Sequence, residues 1–284
     1  MNSQAQALVD SVKDLGTLPE VYSKANELIN DPSSSAQDLA KVIVNDQVLT
    51  SRLLRLVNSA LYGFPQHIDS VSRAITIVGF RQTRDLVMGV SIIGKFSKST
   101  SGLMDMKAFW HHSLATAAAA KILAEAKRHR SVEVMFSAGL MHDIGRLVII
   151  ESGNRLPVAE LLRTAAESKM PLHKLERRLL GFTHAEVAEA LFMKWNLPPV
   201  LREAVAYHHL PGMAPRFKEE ALITHYGDCF AHALGLGAAG DNYLQQPDEE
   251  NWSAFSAGMA PIPDLAQKVA AATPELINIF FPEH

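Results

Sequence analysis

Apolar residues along this chain recur at helical spacing, and no stretch alternates strictly between apolar and polar residues. A helix brings a side chain back to one face about every 3.6 residues and a strand every 2, so this pattern specifies an all-helical fold and leaves no sheet to build around. Leu39, Val42 and Ile43 follow Ser35, with Asp38 three residues after the serine, the layout of a capping box. Asp46 or Thr50 can open the next helix, which carries Leu49, Leu53, Leu56 and Val57 towards a turn at Gly63. Ser70 precedes a further helix that ends at Gly79, and Phe80 to Ile93 continues as another. Glycine at a helix end removes the steric cost of a left-handed cap. Leu147 to Ile150 is apolar enough to be a strand, but it lies in helical context.

A length of 284 residues allows one large domain or two ordinary ones. The Ser-rich run from Lys95 to Gly102 separates a helical N-terminal lobe, 1–100, from a second helical lobe, 101–240, whose first helix starts near Asp105. Residues 241–284 read as a polar loop from Asp241 to Pro263 and a short closing helix opened by Thr273-Pro274-Glu275. Hydrophobic residues are 48% and charged residues 20%, a globular composition. The formal net charge of −3 argues against a non-specific nucleic-acid binder. Arg81 and Arg84 beside Gly79 could imitate a helix-turn-helix, but such corners are common packing units, and no nucleic-acid partner is expected. One cysteine, Cys229, excludes an intrachain disulfide and a cysteine-based zinc site. The first residues lack the basic and apolar parts of a signal peptide, and no segment reaches the roughly 18 apolar residues of a membrane span. A cytoplasmic protein away from membranes is expected.

The chain has 12 histidines. Met141-His142-Asp143-Ile144-Gly145 sets a histidine directly before an aspartate at the end of an apolar helix. Imidazole with carboxylate suits Zn, Fe, Mn and similar ions. His112 follows Trp110 and His111 at the start of an Ala-rich helix, and His184 opens the helix carrying Val187, Ala188, Leu191 and Trp195. His208-His209 ends the helix begun by Pro198-Pro199, and Leu201, Val205 and His208 share its inner face. Asp228 lies on a helix with Ile223 and Cys229. These separations are too long for a local metal finger, so only a helical bundle can bring the residues together. His111, His129, His173, His225 and His232 read as solvated or core residues.

The order His112, His142-Asp143, Asp228 resembles the signature of the HD superfamily of metal-dependent phosphohydrolases, and His184, His208 and His209 are similar to the added histidines of its two-metal branch. The fuller pattern resembles the HDOD family, the HD-related output domain of bacterial signalling proteins. Leu49-Thr50-Ser51-Arg52-Leu53-Leu54-Arg55-Leu56-Val57-Asn58-Ser59-Ala60-Leu61-Tyr62-Gly63, Trp110-His111-His112, Gly139 to Arg146, Trp195-Asn196-Leu197-Pro198 and His208-His209 carry it, over about residues 15–235. The resemblance implies an HD-type multi-helix bundle and one or two divalent ions (Fe, Mn, Zn, Ni or Mg) held by His112, His142, Asp143, His184, His208, His209 and Asp228. It also implies a phosphoester substrate, nucleotides included, with Asp143 bridging the ions, His208 moving a proton and Arg146 meeting a phosphate. The Gly-Tyr-Pro motif of the branch that hydrolyses cyclic di-GMP is absent after His209, and Arg146 stands where that branch has lysine, so that substrate is not expected. The family implies a second reading too: a catalytically silent regulatory module with a structural or vestigial metal site, meeting a signalling protein through its N-terminal lobe.

Overall fold

The structure, a computed structural model, describes residues 2–12, 18, 20–31, 33–96, 102–152, 155–168, 170–240, 243 and 249–282. Among them are helices and no strand. The chain starts with α1 (Ser3–Ser11), α2 (Glu20–Asn30), α3 (Ala36–Val44), α4 (Gln47–Val57), α5 (Val71–Val78) and α6 (Phe80–Phe96). It continues with α7 (Met106–Ala126), α8 (Val132–Met141), α9 (Ile144–Glu151), α10 (Arg155–Glu167) and α11 (Leu172–Leu180). The last helices are α12 (His184–Lys194), α13 (Pro199–Ala206), α14 (Lys218–Ala233), α15 (Glu249–Ser256) and α16 (Ile262–Phe280). A turn of 3-10 helix, Pro211–Met213, stands between α13 and α14. Two compact units divide the chain: Thr17–Lys98 with Ala271–His284, and Met1–Gly16 with Ser99–Ala270.

In the first unit the helix ends follow local chemistry. The Ser35 side chain accepts from the Asp38 amide while the Asp38 carboxylate accepts from the Ser35 amide, so two otherwise orphaned donors are satisfied at the start of α3. Asp46 caps α4 by accepting from the Leu49 amide at 2.9 Å. Ser70 caps α5, and Gly79, at φ +102°, ends it and passes directly into α6. Arg84 is not presented to a groove: its guanidinium pairs with Asp85 at 2.6 Å and donates to Asn26 at 3.3 Å.

The second unit is built round α7, which Asp105 caps. Every residue from His112 to Ala124 is buried, the mark of a helix that sits inside rather than on a surface. Small residues let its neighbours come close. A Cβ at Gly139 of α8 would stand 2.6 Å from the Thr116 carbonyl oxygen, and one at Gly227 of α14 would stand 3.1 Å from the Ala120 nitrogen. On α9, a Cβ at Gly145 would lie 2.0 Å from the His184 carbonyl oxygen, so glycine is what allows α9 to meet α12. Leu147 to Ile150 lies within α9. The N-terminal helix α1 also belongs to this unit, where Lys194 of α12 binds Asp10 at 3.2 Å.

Two expectations for the tail differ from the structure. The stretch expected as a loop contains α15, because Trp252 and Phe255 both pack on Tyr226 with ring centroids 4.7 Å away. Residues 241–242 and 244–248 of that stretch lie outside the described residues. Nor does the closing helix open at Thr273: α16 starts at Ile262 and runs through Pro274. An interior proline costs about 3 kcal/mol, whereas burying one large apolar side chain gains about 1.5–3 kcal/mol. Leu265, Val269, Leu276, Ile279 and Phe280 are all buried, so the helix persists.

Candidate metal centre

The packing of α7 on α8 and α14, and of α12 on α9 and α13, collects the histidines and aspartates of the second unit into one buried cluster. His112, His142, His184 and His208 are 0% exposed and Asp143 is 1% exposed. Three of the rings are set by their own hydrogen bonds. His142 Nδ1 donates to the Gly139 carbonyl at 2.7 Å, His208 Nδ1 to the Val205 carbonyl at 2.6 Å, and His184 Nδ1 to Glu176 Oε2 at 2.6 Å. Each donation engages Nδ1 and leaves Nε2 facing the centre.

Those nitrogens converge. His112 Nε2 stands 3.3 Å from His142 Nε2, and His184 Nε2 stands 3.4 Å from His208 Nε2 and 3.1 Å from His209 Nε2. Asp228 Oδ1 lies 3.0 Å from His112 Nε2. Asp143 stands between the two sets, with Oδ2 3.2 Å from His142 Nε2 and Oδ1 3.0 Å from His184 Nε2. Despite these approaches, Asp143 Oδ1 and Asp228 Oδ1 are buried without a hydrogen bond. Buried acceptors left in this state are costly unless a cation fills the space between them. Three groups have ligand atoms within 4.8 Å of one another: His112, His142 and Asp228; His142, Asp143 and His208; and His184, His208 and His209.

The cluster divides into rings held neutral and rings held protonated, and a bound cation would displace the Nε2 proton of the latter. Burial alone would raise both aspartates. Arg146, His142 and His184 around Asp143, and His112 and His142 around Asp228, hold them well below the usual carboxylate range. Burial pushes His208 and His209 well below the ordinary imidazole value, and lowers His112 against the pull of Asp228. His142 is the counterpart: burial would lower it, but the carboxylates of Asp143 and Asp228 push it up to about 10. His184 is raised as well: burial would lower it, but Glu176 and Asp143 together outweigh that.

Residues 15–211 match the HDOD domain. The chain belongs to the HDOD family. Over 98% of both chains, it shares its fold with an HDOD domain protein of unknown function from Geobacter sulfurreducens, at 24% identity and a TM-score of 0.80. A protein from Shewanella amazonensis SB2B named "Putative phosphohydrolase" has the same fold at 23% identity and a TM-score of 0.72, covering 96% of this chain and 98% of its own. An uncharacterized protein of Treponema pallidum (strain Nichols) is 29% identical over 216 residues, which are 75% of this chain and 41% of that protein. This HDOD chain therefore spans about two fifths of that curated relative. None of its described helices is long and apolar enough to cross a membrane.

All seven residues expected as ligands in this HDOD chain lie in the one cluster, although Asp228 falls beyond the matched stretch. Arg146 is placed differently from a residue awaiting a phosphate. It is buried, with Nη1 3.0 Å from Asp143 Oδ2 and donating to the Ala239 carbonyl at 2.6 Å. Several neighbours escaped the sequence reading. Glu176 of α11, which is 1% exposed, also accepts from the His184 backbone amide at 2.8 Å. His173 stacks on His209 with centroids 4.1 Å apart, and burial pushes it down to about 4. His232 Nε2 stands 3.4 Å from Asp228 Oδ1, and His225 donates to the His208 carbonyl at 2.8 Å. Among them, only His225 and His232, three residues before and four after Asp228 on one helix, could have been flagged by spacing.

Proposed function

We propose that this HDOD protein is a metal-dependent phosphohydrolase of bacterial signalling, acting on a phosphoester, nucleotides included. The carrying observation is Asp143, whose two oxygens face the Nε2 atoms of two separate sets of imidazoles. On this reading His112, His142 and Asp228 hold one divalent ion, His184, His208 and His209 hold a second, and Asp143 is shared. Ions so placed lower the pKa of a bound water and neutralise phosphoryl charge. The chain's own residues do the rest. Gly139, Glu176 and Val205 engage Nδ1 of three rings and leave Nε2 facing the centre. Arg146 holds the shared carboxylate in place, a positioning role through Asp143.

A closed, structural metal site in a regulatory module is the second reading. It is favoured by the near-complete burial of the imidazoles and by the engagement of Arg146 with Asp143 and Ala239, since structural sites are closed while catalytic ones keep an open position. One assay separates the two. Metal-loaded protein should hydrolyse a chromogenic phosphodiester or phosphomonoester, and Asp143→Ala should abolish the activity. Full metal occupancy with no turnover above the Asp143→Ala background would leave the regulatory module, with the Thr17–Lys98 unit as the place to seek a signalling partner.

A further inference from the structure

Five of the seven candidate ligands are at most 1% exposed and Asp228 is 7% exposed, so any ion needs a way in. A cavity of about 360 Å³ reaches the cluster at His209, and Arg177, Glu186, Glu189 and His173 line it. Arg177 is already spent there: Nη2 is 2.7 Å from Glu186 Oε1, and Nη1 donates to the Gly181 carbonyl at 3.0 Å. Glu189 has no cationic partner among the described residues, so the wall holds one carboxylate more than it has cations to balance. His173 is 8% exposed, and its Nδ1 is buried without a hydrogen bond. An anionic wall attracts cations and repels a phosphoester, and an unsatisfied imidazole nitrogen suits a transition-metal ion.

Resting on the metal reading above, we propose that this cavity is the loading port of the centre. Glu189 draws in the hydrated divalent cation, His173 offers it a first imidazole nitrogen, and His209, stacked on His173, passes it inwards to His184.

The test follows Zn²⁺ uptake by chelator-stripped full-length protein in a stopped-flow mixer, read by competition with a chromophoric chelator. Glu189→Gln and His173→Phe should load about three- to tenfold more slowly, the size expected when a cleft loses part of its steering field. Final stoichiometry should stay at the wild-type value. Added salt should slow the wild type and leave Glu189→Gln almost unchanged. Glu160→Gln, an exposed carboxylate of α10, should load at wild-type speed. Unchanged rates in both port variants, at full stoichiometry, would overturn the port and leave the centre standing. A lowered zinc stoichiometry in His173→Phe, with Glu189→Gln loading normally, would also overturn it by making His173 a fixed ligand. A wild-type chain that takes up no zinc would overturn the port and the metal reading together.

Discussion

Glu176 accepts twice from one residue, 2.6 Å from Nδ1 of His184 and 2.8 Å from its backbone nitrogen. The carboxylate thus fixes both the ring and the first turn of α12. Glu176→Gln keeps the shape and removes the charge that makes the imidazole a better donor to a metal. Zinc affinity should fall about 10- to 100-fold, the usual cost of losing such a partner. Chelator competition measures it, and equal affinities would reduce Glu176 to a packing residue.

Metal removal should register as lost stability. An ion bound only to the folded chain, at about 100 times its dissociation constant, contributes roughly 2.7 kcal/mol. Wild-type protein should therefore melt lower after chelation, while Asp143→Ala should melt at nearly the same temperature with or without metal. A wild-type melting temperature indifferent to both chelator and added Zn, Mn or Fe would contradict the proposed centre.

Gly145→Ala tests the packing that places His184. The added methyl would sit 2.0 Å from the His184 carbonyl oxygen, backbone that cannot swing aside. A loss of about 1–3 kcal/mol is expected from this overpacking, together with weaker zinc binding as α12 moves off α9. Urea unfolding reads the first effect, and wild-type stability in the variant would mean that the two helices can separate freely.

The link between α13 and α14 carries a pH signature. Glu203 Oε1 accepts from Nε and Nη2 of Arg216 at 3.0 and 2.9 Å, while Oε2 accepts from the amides of Arg216 and Phe217 at 3.0 and 3.2 Å, just ahead of α14. Burial alone would raise this carboxyl, but the four bonds hold it below its ordinary value of 4.5. A depressed folded pKa stabilises above the unfolded value and stops doing so as pH falls through the folded one. Wild type should exceed Glu203→Gln in stability at neutral pH, and the gap should close on acidification below about 4.5. Denaturant titrations across that range give the difference directly, and a gap constant with pH would rule out the linkage.

Features that depend on a few adjacent residues are legible in the sequence itself. Ser35 with Asp38, Asp46, Ser70, Gly79 and Asp105 all mark helix ends where their chemistry requires them. The candidate ligands stand out because few residue types bind metals and they recur at suggestive places. Glu176 does not, since nothing local distinguishes it from other acidic residues until α11 is laid beside His184. Gly145 likewise reads as an ordinary helix residue until α12 covers it. The polar run after Gly240 hides α15, because the two rings that anchor it find their partner, Tyr226, far back in the chain.

Both Asp228 and Ala239 lie past residue 211, where the HDOD match stops. Yet Asp228 faces His112, and Ala239 receives a hydrogen bond from the arginine beside Asp143. The candidate centre in this chain therefore draws on residues beyond its family signature. A fragment trimmed at the edge of the signature would cut away one candidate ligand and one brace of Asp143, so a domain boundary drawn at the end of the matched stretch would pass through the candidate centre.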